Sequence, residues 1–314
     1  MYSLSAYGKM IADAGRTEAY VRALQKAIKP GSVVIDLGCG PGLFALTAAQ
    51  LGARRVYAIE PDDVIQVGRD AAREHGFGDR IEFIQDSSTS VTLPERADVI
   101  VSDLRGVLPW FAQHLPSIVD ARERFLAPGG ILIPARDTIW AAIVEVPEYY
   151  ESLVKPWTGS ITFNSARRLA VNNWSKLRVE PGNLLGQPVG WYELDYYHVD
   201  KADFSRDVSF TIARTGEAHG FTIWFDAELF EDIGFSNAPD REPLIYKSAF
   251  FSFQEPLAVS AGDRLDIHLE GRLIGDDYAW RWNTTVPATG ITFKQSTLLG
   301  VPFSQDKLRK LANR

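Results

Sequence analysis

A single cysteine, Cys39, stands in a chain of 314 residues, so no disulfide forms within it. That usage fits a reducing compartment. No apolar run approaches the length of a membrane-spanning helix, and the opening MYSLSAYGKMIADAGR lacks the basic, apolar, small-residue order of a secretory signal. No cluster of His, Cys, Asp and Glu has metal-ligand spacing, and neither an internal repeat nor a low-complexity linker is found. A basic excess is missing too. The chain has 33 Lys and Arg against 40 Asp and Glu, a net charge of −7 and a pI near 5.4. A non-specific nucleic-acid binder normally shows a basic face. The expectation is a soluble cytoplasmic protein with no metal, nucleic-acid or membrane partner.

Hydrophobic residues make up 46% of the chain and charged ones 23%, as in globular proteins, and the length suits two domains. The first 135 residues alternate strand and helix patterns, which predicts an α/β core with a parallel sheet. Strands are expected at Val33–Leu37, Arg55–Glu60, Ile81–Gln85, Asp98–Asp103 and Gly130–Pro134, and helices at Leu43–Leu51, Asp62–His75 and Pro116–Phe125. Polar strand ends, among them Asp36, Glu60, Asp86 and Asp103, should then meet at the carboxyl edge, where open α/β sheets bind ligands. Beyond Pro134 the texture changes to β-branched and aromatic runs between Gly, Pro and Asn turns. They fall at Thr138–Val146, Trp191–His198, Val208–Ala213, Phe221–Glu228, Ser248–Phe253, Arg264–Leu269 and Tyr278–Thr285, with little helical periodicity before Gln305–Asn313. That predicts an antiparallel β barrel or sandwich.

The run Val33-Val34-Ile35-Asp36-Leu37-Gly38-Cys39-Gly40-Pro41-Gly42 takes a buried strand into a glycine turn. In a dinucleotide site such glycines cradle a pyrophosphate, which a carboxylate beside them would repel. Asp36 before the glycines instead suits a ligand with an ammonium or sulfonium group, as in S-adenosylmethionine. Gly38, Gly40 and Gly42 would form its turn, and Glu60 would accept both hydroxyls of a ribose. Asp86, Ser87 and Ser88 either contact the adenine or form an ordinary turn and helix cap. Cys39 reads as a packing residue.

From Tyr7 to Pro134 the sequence resembles the catalytic core of the protein arginine methyltransferases. The resemblance is carried by Met10 to Tyr20, by Gly52 to Glu60, by the glycine turn and by Phe125 to Pro134. It implies a lid over residues 1–30, a Rossmann-like core over 31–136 that binds S-adenosylmethionine, and a β-barrel domain over 137–314. Arg16 would then hold the cofactor carboxylate with its planar fork of donors. It further implies a head-to-tail homodimer through an arm at Pro156–Pro188, where Trp157, Phe163, Leu169, Val171 and Trp174 either make the contact or cover the barrel's own core.

The substrate loop departs from that pattern. Of the two glutamates that grip a guanidinium in the family, the first falls on Asp103 and the second on Ala112, while the barrel's Thr-His-Trp element falls on Leu244-Ile245-Tyr246. Asp103 would orient the acceptor or take its proton. Arg105 opposes a guanidinium; it either holds an anionic group of the acceptor or pairs with a surface acid. His114 is either a general base or structural, and Tyr246 is placed to replace the lost histidine. The reading is a methyltransferase acting on nitrogen of a small molecule or peptide. The alternatives are an arginine methyltransferase with an altered grip, a cofactor-binding inactive scaffold, and, disfavoured by Asp36, a dinucleotide oxidoreductase.

Overall fold

A computed structural model describes residues 3–300; the helix expected at Gln305–Asn313 lies outside them. Two helices open the chain, α1 (Leu4–Ala12) and α2 (Ala14–Ala27). Asp13 separates them and does two jobs. One oxygen caps α2 by accepting the Arg16 amide at 3.3 Å, and the other accepts the Ile245 amide at 2.7 Å. A single carboxylate therefore starts α2 and ties it to the segment that carries Ile245.

The core follows as β1 (Val33–Leu37), α3 (Leu43–Gln50), β2 (Arg55–Ile59), α4 (Ile65–Glu74), β3 (Ile81–Ile84), β4 (Ala97–Ser102), α5 (His114–Phe125) and β5 (Leu126–Ile133). The strands form one parallel sheet in the order β3-β2-β1-β4-β5. All five residues of β1 are buried, as a central strand covered on both faces requires, and this is why it reads as an unbroken apolar run around Asp36. The order reverses at β1, so the crevice between the ends of β1 and β4 is the switch point where ligands bind.

An antiparallel region begins three residues after β5. It comprises β6 (Arg136–Val144), α6 (Pro147–Val154), α7 (Asn164–Val171), β7 (Trp174–Leu177), β8 (Val189–Asp195), β9 (Phe204–Thr211), β10 (Gly216–Phe230), β11 (Ile233–Ser236), β12 (Ser248–Val259), β13 (Arg264–Ile274), β14 (Asp277–Val286) and β15 (Ile291–Ser296). One sheet runs β7-β12-β10-β6-β8 with β11 beside β10; the other runs β15-β14-β13-β9. The domain is barrel-like, but hydrogen bonds do not close it into one ring. Aromatic rings join the sheets: Phe251 of β12 lies 5.2 Å from Trp280 and 5.3 Å from Trp282 of β14, centroid to centroid. Two helices interrupt the region where little helical periodicity was expected. Each is eight residues long and buries one side chain, Tyr150 in α6 and Val171 in α7, too few to impose a 3.6-residue pattern.

Candidate active site

At the switch point a cavity of about 600 Å³ opens between α1 and α2, the carboxyl edge of the parallel sheet and the segment holding Tyr246. Tyr7 and Met10 roof it, Gly38 and Glu60 stand at one end, and Asp103 and His114 stand at the other.

The first end is built by the glycine turn. Gly38 and Gly40 adopt φ of 72° and 51°, the left-handed region that side chains avoid. The Gly38 and Cys39 amides donate to the Ile59 carbonyl at 2.8 and 3.0 Å, which locks the turn onto the end of β2. A Cβ on Gly38 would lie 2.0 Å from Leu104 Cδ2, so the turn presses directly on the loop after β4. The Glu60 carboxylate accepts the amides of Gly40 and Asp62, each at 3.0 Å. Held in this way, it keeps lone pairs for two hydroxyl donors, the chemistry a ribose offers. Ser87 and Ser88 also line the cavity.

Three expectations at this end need correction. Asp36 does not line the cavity: it is 1% exposed, and one oxygen accepts the Ala45 amide at 2.8 Å. Gly42 caps α3 without a side chain, so Asp36 reaches across from β1 to satisfy an otherwise orphaned amide of the first turn. Burial, reinforced by Glu60, pushes its carboxyl up to about 7 against that hydrogen bond. Gly42 itself, at φ 84°, is a cap residue behind the wall. Asp86 points outward to its own turn, accepting the Ser87 amide at 2.7 Å.

At the other end Asp103 is ion-paired. Arg16 Nε donates to its Oδ2 at 2.5 Å, the Tyr246 hydroxyl donates to the same oxygen at 2.6 Å, and Arg105 Nε lies 3.5 Å from Oδ1. Burial alone would raise this carboxyl, but the two guanidinium groups outweigh it and hold the group below the usual carboxylate range. Asp103 is therefore a poor proton acceptor. Arg16 also donates through Nη1 to the Met10 carbonyl and Thr17 Oγ1, and its plane lies 5.2 Å from the Phe44 ring centre. None of these bonds uses Nη2, which leaves one arm of the fork for a carboxylate. Tyr246 stands where the sequence reading placed it.

Arg105 neither holds an anion from the cavity nor turns to a surface acid. Its side chain is fully buried: Nη1 donates to Asp137 Oδ1 at 2.6 Å and Nη2 to the Tyr20 hydroxyl at 3.0 Å, while Phe225 lies 5.1 Å from the guanidinium carbon. A buried guanidinium demands a counterion, and Asp137 at the start of β6 is that ion. His114 is no general base either. Burial and the nearby Arg105 cation push its imidazole down to about 3, so it is neutral at physiological pH and only weakly basic.

Two family models match the chain: the arginine methyltransferase oligomerization subdomain over residues 135–274, and ribosomal protein L11 methyltransferase over residues 14–146. A probable protein arginine N-methyltransferase 6 of Arabidopsis thaliana is 28% identical over 70% of this chain and 53% of its own length. Protein arginine N-methyltransferase 1 of Chlamydomonas reinhardtii is 26% identical over 83% and 79%. The chain thus spans between about half and four fifths of these relatives. Among solved structures, the Trypanosoma brucei arginine methyltransferase 1 enzyme–prozyme complex with AdoHcy aligns at a TM-score of 0.86, over 94% of this chain and 98% of that one, at 21% identity. Arabidopsis thaliana protein arginine methyltransferase 10 aligns at 0.81, over 94% and 97%, at 20% identity. The chain is similar in sequence and in fold to the protein arginine methyltransferases.

Within this methyltransferase-like frame the sequence reading missed three residues of the acceptor end. Asp137, Tyr196 and Tyr20 join Arg105 and His114 in one buried network. The Tyr196 hydroxyl donates to Asp137 Oδ2 at 2.6 Å and meets His114 Nε2 at 3.1 Å; the Tyr20 hydroxyl donates to the Ser102 carbonyl at 3.0 Å. The only hint in the sequence was Asp137 itself, an acid opening a strand whose every second residue is buried. Its partner Arg105 lies 32 residues away, beyond the reach of any local pattern.

Proposed function

We propose that the chain transfers the methyl group of S-adenosylmethionine to a nitrogen of an electrically neutral small molecule or peptide. The charge count at the acceptor end carries this reading. Two arginines, Arg16 and Arg105, face two carboxylates, Asp103 and Asp137, and each carboxylate lies 2.5 or 2.6 Å from its arginine. No carboxylate there is spare, so a guanidinium would enter with its charge uncompensated as water is excluded. Ala112, where the family pattern has its second glutamate, adds no counter-charge.

When bound, the cofactor supplies an electrophilic methyl on a sulfonium. The chain's residues fit it: Arg16 Nη2 is open to its carboxylate, Glu60 to its ribose, and the close-approach glycines Gly38 and Gly40 to its amino-acid portion. Asp103 is fixed by Arg16 and Tyr246 and orients the acceptor nitrogen. With Asp103 held ionised and His114 weakly basic, catalysis rests on positioning, which suits a nitrogen that already carries its lone pair.

A second reading, methylation of arginine in a protein or peptide, is favoured by the names of the curated relatives. AdoHcy formation separates the two. The full chain should turn over a pool of amines that are uncharged at the assay pH, such as anilines and imidazoles, at least about tenfold faster than an arginine-rich peptide, a difference of about 1.4 kcal/mol. Ala112→Glu should narrow that gap by returning a carboxylate, although φ of 44° at this position makes the variant somewhat strained. Efficient methylation of the arginine peptide by the unaltered chain, with no gain in the variant, would exclude the neutral-acceptor reading. We propose further that the chain forms a head-to-tail homodimer, since residues 135–274 match an oligomerization subdomain.

A further inference from the structure

The acceptor end of the cavity is apolar where a ligand can touch it. Arg105 and His114 are buried and the Asp103 side chain is nearly so, and the charges there are spent on one another. The accessible lining is made by their neighbours Leu104, Phe111, Ala112 and Ile245, with Ser117 adding a hydroxyl. Gln113 gives its amide nitrogen to the Gly275 carbonyl at 2.7 Å and to Asp276 Oδ1 at 3.3 Å, which ties the loop to the turn between β13 and β14. Phe111 is the member that needs explaining. Its neighbour Trp110 packs against four rings, whereas Phe111 meets no other ring among the described residues and is 37% exposed. Yet its ring is held in place. A Cβ on Gly106 would lie 2.8 Å from both Cγ and Cδ2, so the ring presses on the bare backbone of its own loop. The Phe111 amide donates to the Pro109 carbonyl at 2.9 Å, and its carbonyl accepts the His114 amide at 3.1 Å. Ile245 is pinned as well, by its amide on Asp13 and by Tyr246 on Asp103. Apolar surfaces fixed before binding need little ordering when a ligand arrives.

We propose that Phe111 and Ile245 are specificity determinants that hold a flat aromatic ring, and that the methyl acceptor is an arylamine. This rests on the neutral-acceptor reading above and names its substrate class. A ring against Phe111 gains offset-stacked or edge contact in addition to the burial that any alkyl group would gain. Ala112, next to Phe111, keeps that surface free of charge. The nitrogen of an arylamine is uncharged near neutral pH and carries a lone pair, so no base has to prepare it. That lone pair forms the new bond to the methyl carbon while the carbon–sulfur bond breaks, its electron pair staying on sulfur in AdoHcy. The positive charge passes to nitrogen, and an arylammonium is acidic enough to give its proton to water. Neither the paired Asp103 nor the weakly basic His114 has to take it.

The test uses the full chain, with ¹³C in its isoleucine δ1 methyl groups and saturated with AdoHcy. The probes are aniline and methoxyamine, two amines of similar basicity of which only the first has a ring. Aniline should shift the Ile245 methyl signal, identified through its loss in Ile245→Leu, by the ring current of a bound aromatic. Methoxyamine at equal concentration should leave it in place. With S-adenosylmethionine in place of AdoHcy, kcat/KM for aniline should exceed that for methoxyamine by about tenfold or more. Phe111→Ala should raise the KM for aniline about tenfold while AdoHcy affinity stays unchanged. An Ile245 methyl unmoved by aniline, equal turnover of the two amines, or an unchanged KM in the variant overturns the proposal. The first two are read on the unaltered chain and hold even if the variant fails to fold. Equal turnover would leave the neutral-acceptor reading standing and remove only the ring. Failure of AdoHcy to bind would instead defeat the methyl-donor reading, and the response of the Ile245 methyl to aniline would still judge this surface.

Discussion

Asp36 and His114 are both 1% exposed, and both are shifted toward their neutral forms, but the pH slopes they give to stability have opposite signs. Asp36 titrates near 7 when folded against an ordinary value near 3.8. Between those values the folded chain keeps a proton that the unfolded chain has lost, so this residue lowers stability as pH rises, by up to about 1.4 kcal/mol per pH unit. His114 titrates near 3 against an ordinary 6.5. There the unfolded chain takes up a proton that the folded chain refuses, so stability falls as pH falls. From about pH 4 to 6.5 the two slopes oppose each other and largely cancel. Urea unfolding at several pH values should expose them singly. Asp36→Asn should gain stability relative to the unaltered chain as pH rises from 4 to 7 and level off above; His114→Gln should gain relative stability as pH drops below 6.5. Difference curves flat with pH would show that neither group titrates in this way.

The loop from Asp103 to His114 is where the sequence departs from the pattern of the family it resembles, and Trp110 anchors it. That ring lies 4.2 Å from Phe204, 5.6 Å from Trp191 and 5.2 Å from Tyr192 by centroid, and is 4% exposed. A core domain loop is thereby clamped into the aromatic cluster of the barrel-like domain. Trp110→Ala should cost about 3–5 kcal/mol of stability by leaving a cavity between the domains. Loss of turnover should exceed loss of AdoHcy affinity, because the loop carries Asp103 whereas the glycine turn is held separately by Ile59. Thermal melts and calorimetry with AdoHcy would check both; equal losses would mean the loop is not an independent part. The elements that positioned the cofactor end were legible because their signals are local: an apolar run, positive-φ glycines and an acid at a strand end. The acceptor end was half legible. Asp103 and Tyr246 were found through a family pattern, but the direction in which Arg105 faces depends on Asp137 and Tyr20, one on β6 and one on α2, and no window of sequence contains that contact. The short strands β7 and β11, four residues each, lack the length to show alternation.

On the scale of the whole molecule, the segment around α6 and α7 stands out because it spends apolar side chains on solvent. Trp157 is 40% exposed, Phe163 55% and Ile161 71%, all within seven residues. The alternative held open by the sequence, that the apolar side chains of this region cover the barrel's core, applies to Val171, which is 2% exposed, and to Trp174, which packs against the core, but not to Trp157 and Phe163. Scattered exposed apolar residues are ordinary, whereas a tryptophan and a phenylalanine grouped with an isoleucine on one projection mark a contact surface. Large aromatic side chains supply most of the energy of such contacts. Because the group falls inside the span matching an oligomerization subdomain, a second copy of this chain is the expected occupant. Replacing Trp157 and Phe163 together by serine should convert a dimer into a monomer in sedimentation velocity at micromolar concentration, with the far-ultraviolet spectrum unchanged since neither residue is buried. Urea unfolding of the unaltered chain should depend on protein concentration, and that of the variant should not, because association adds stability only to the folded form. A variant that still sediments as a dimer would place the subunit contact elsewhere on the molecule and leave this projection for a different partner.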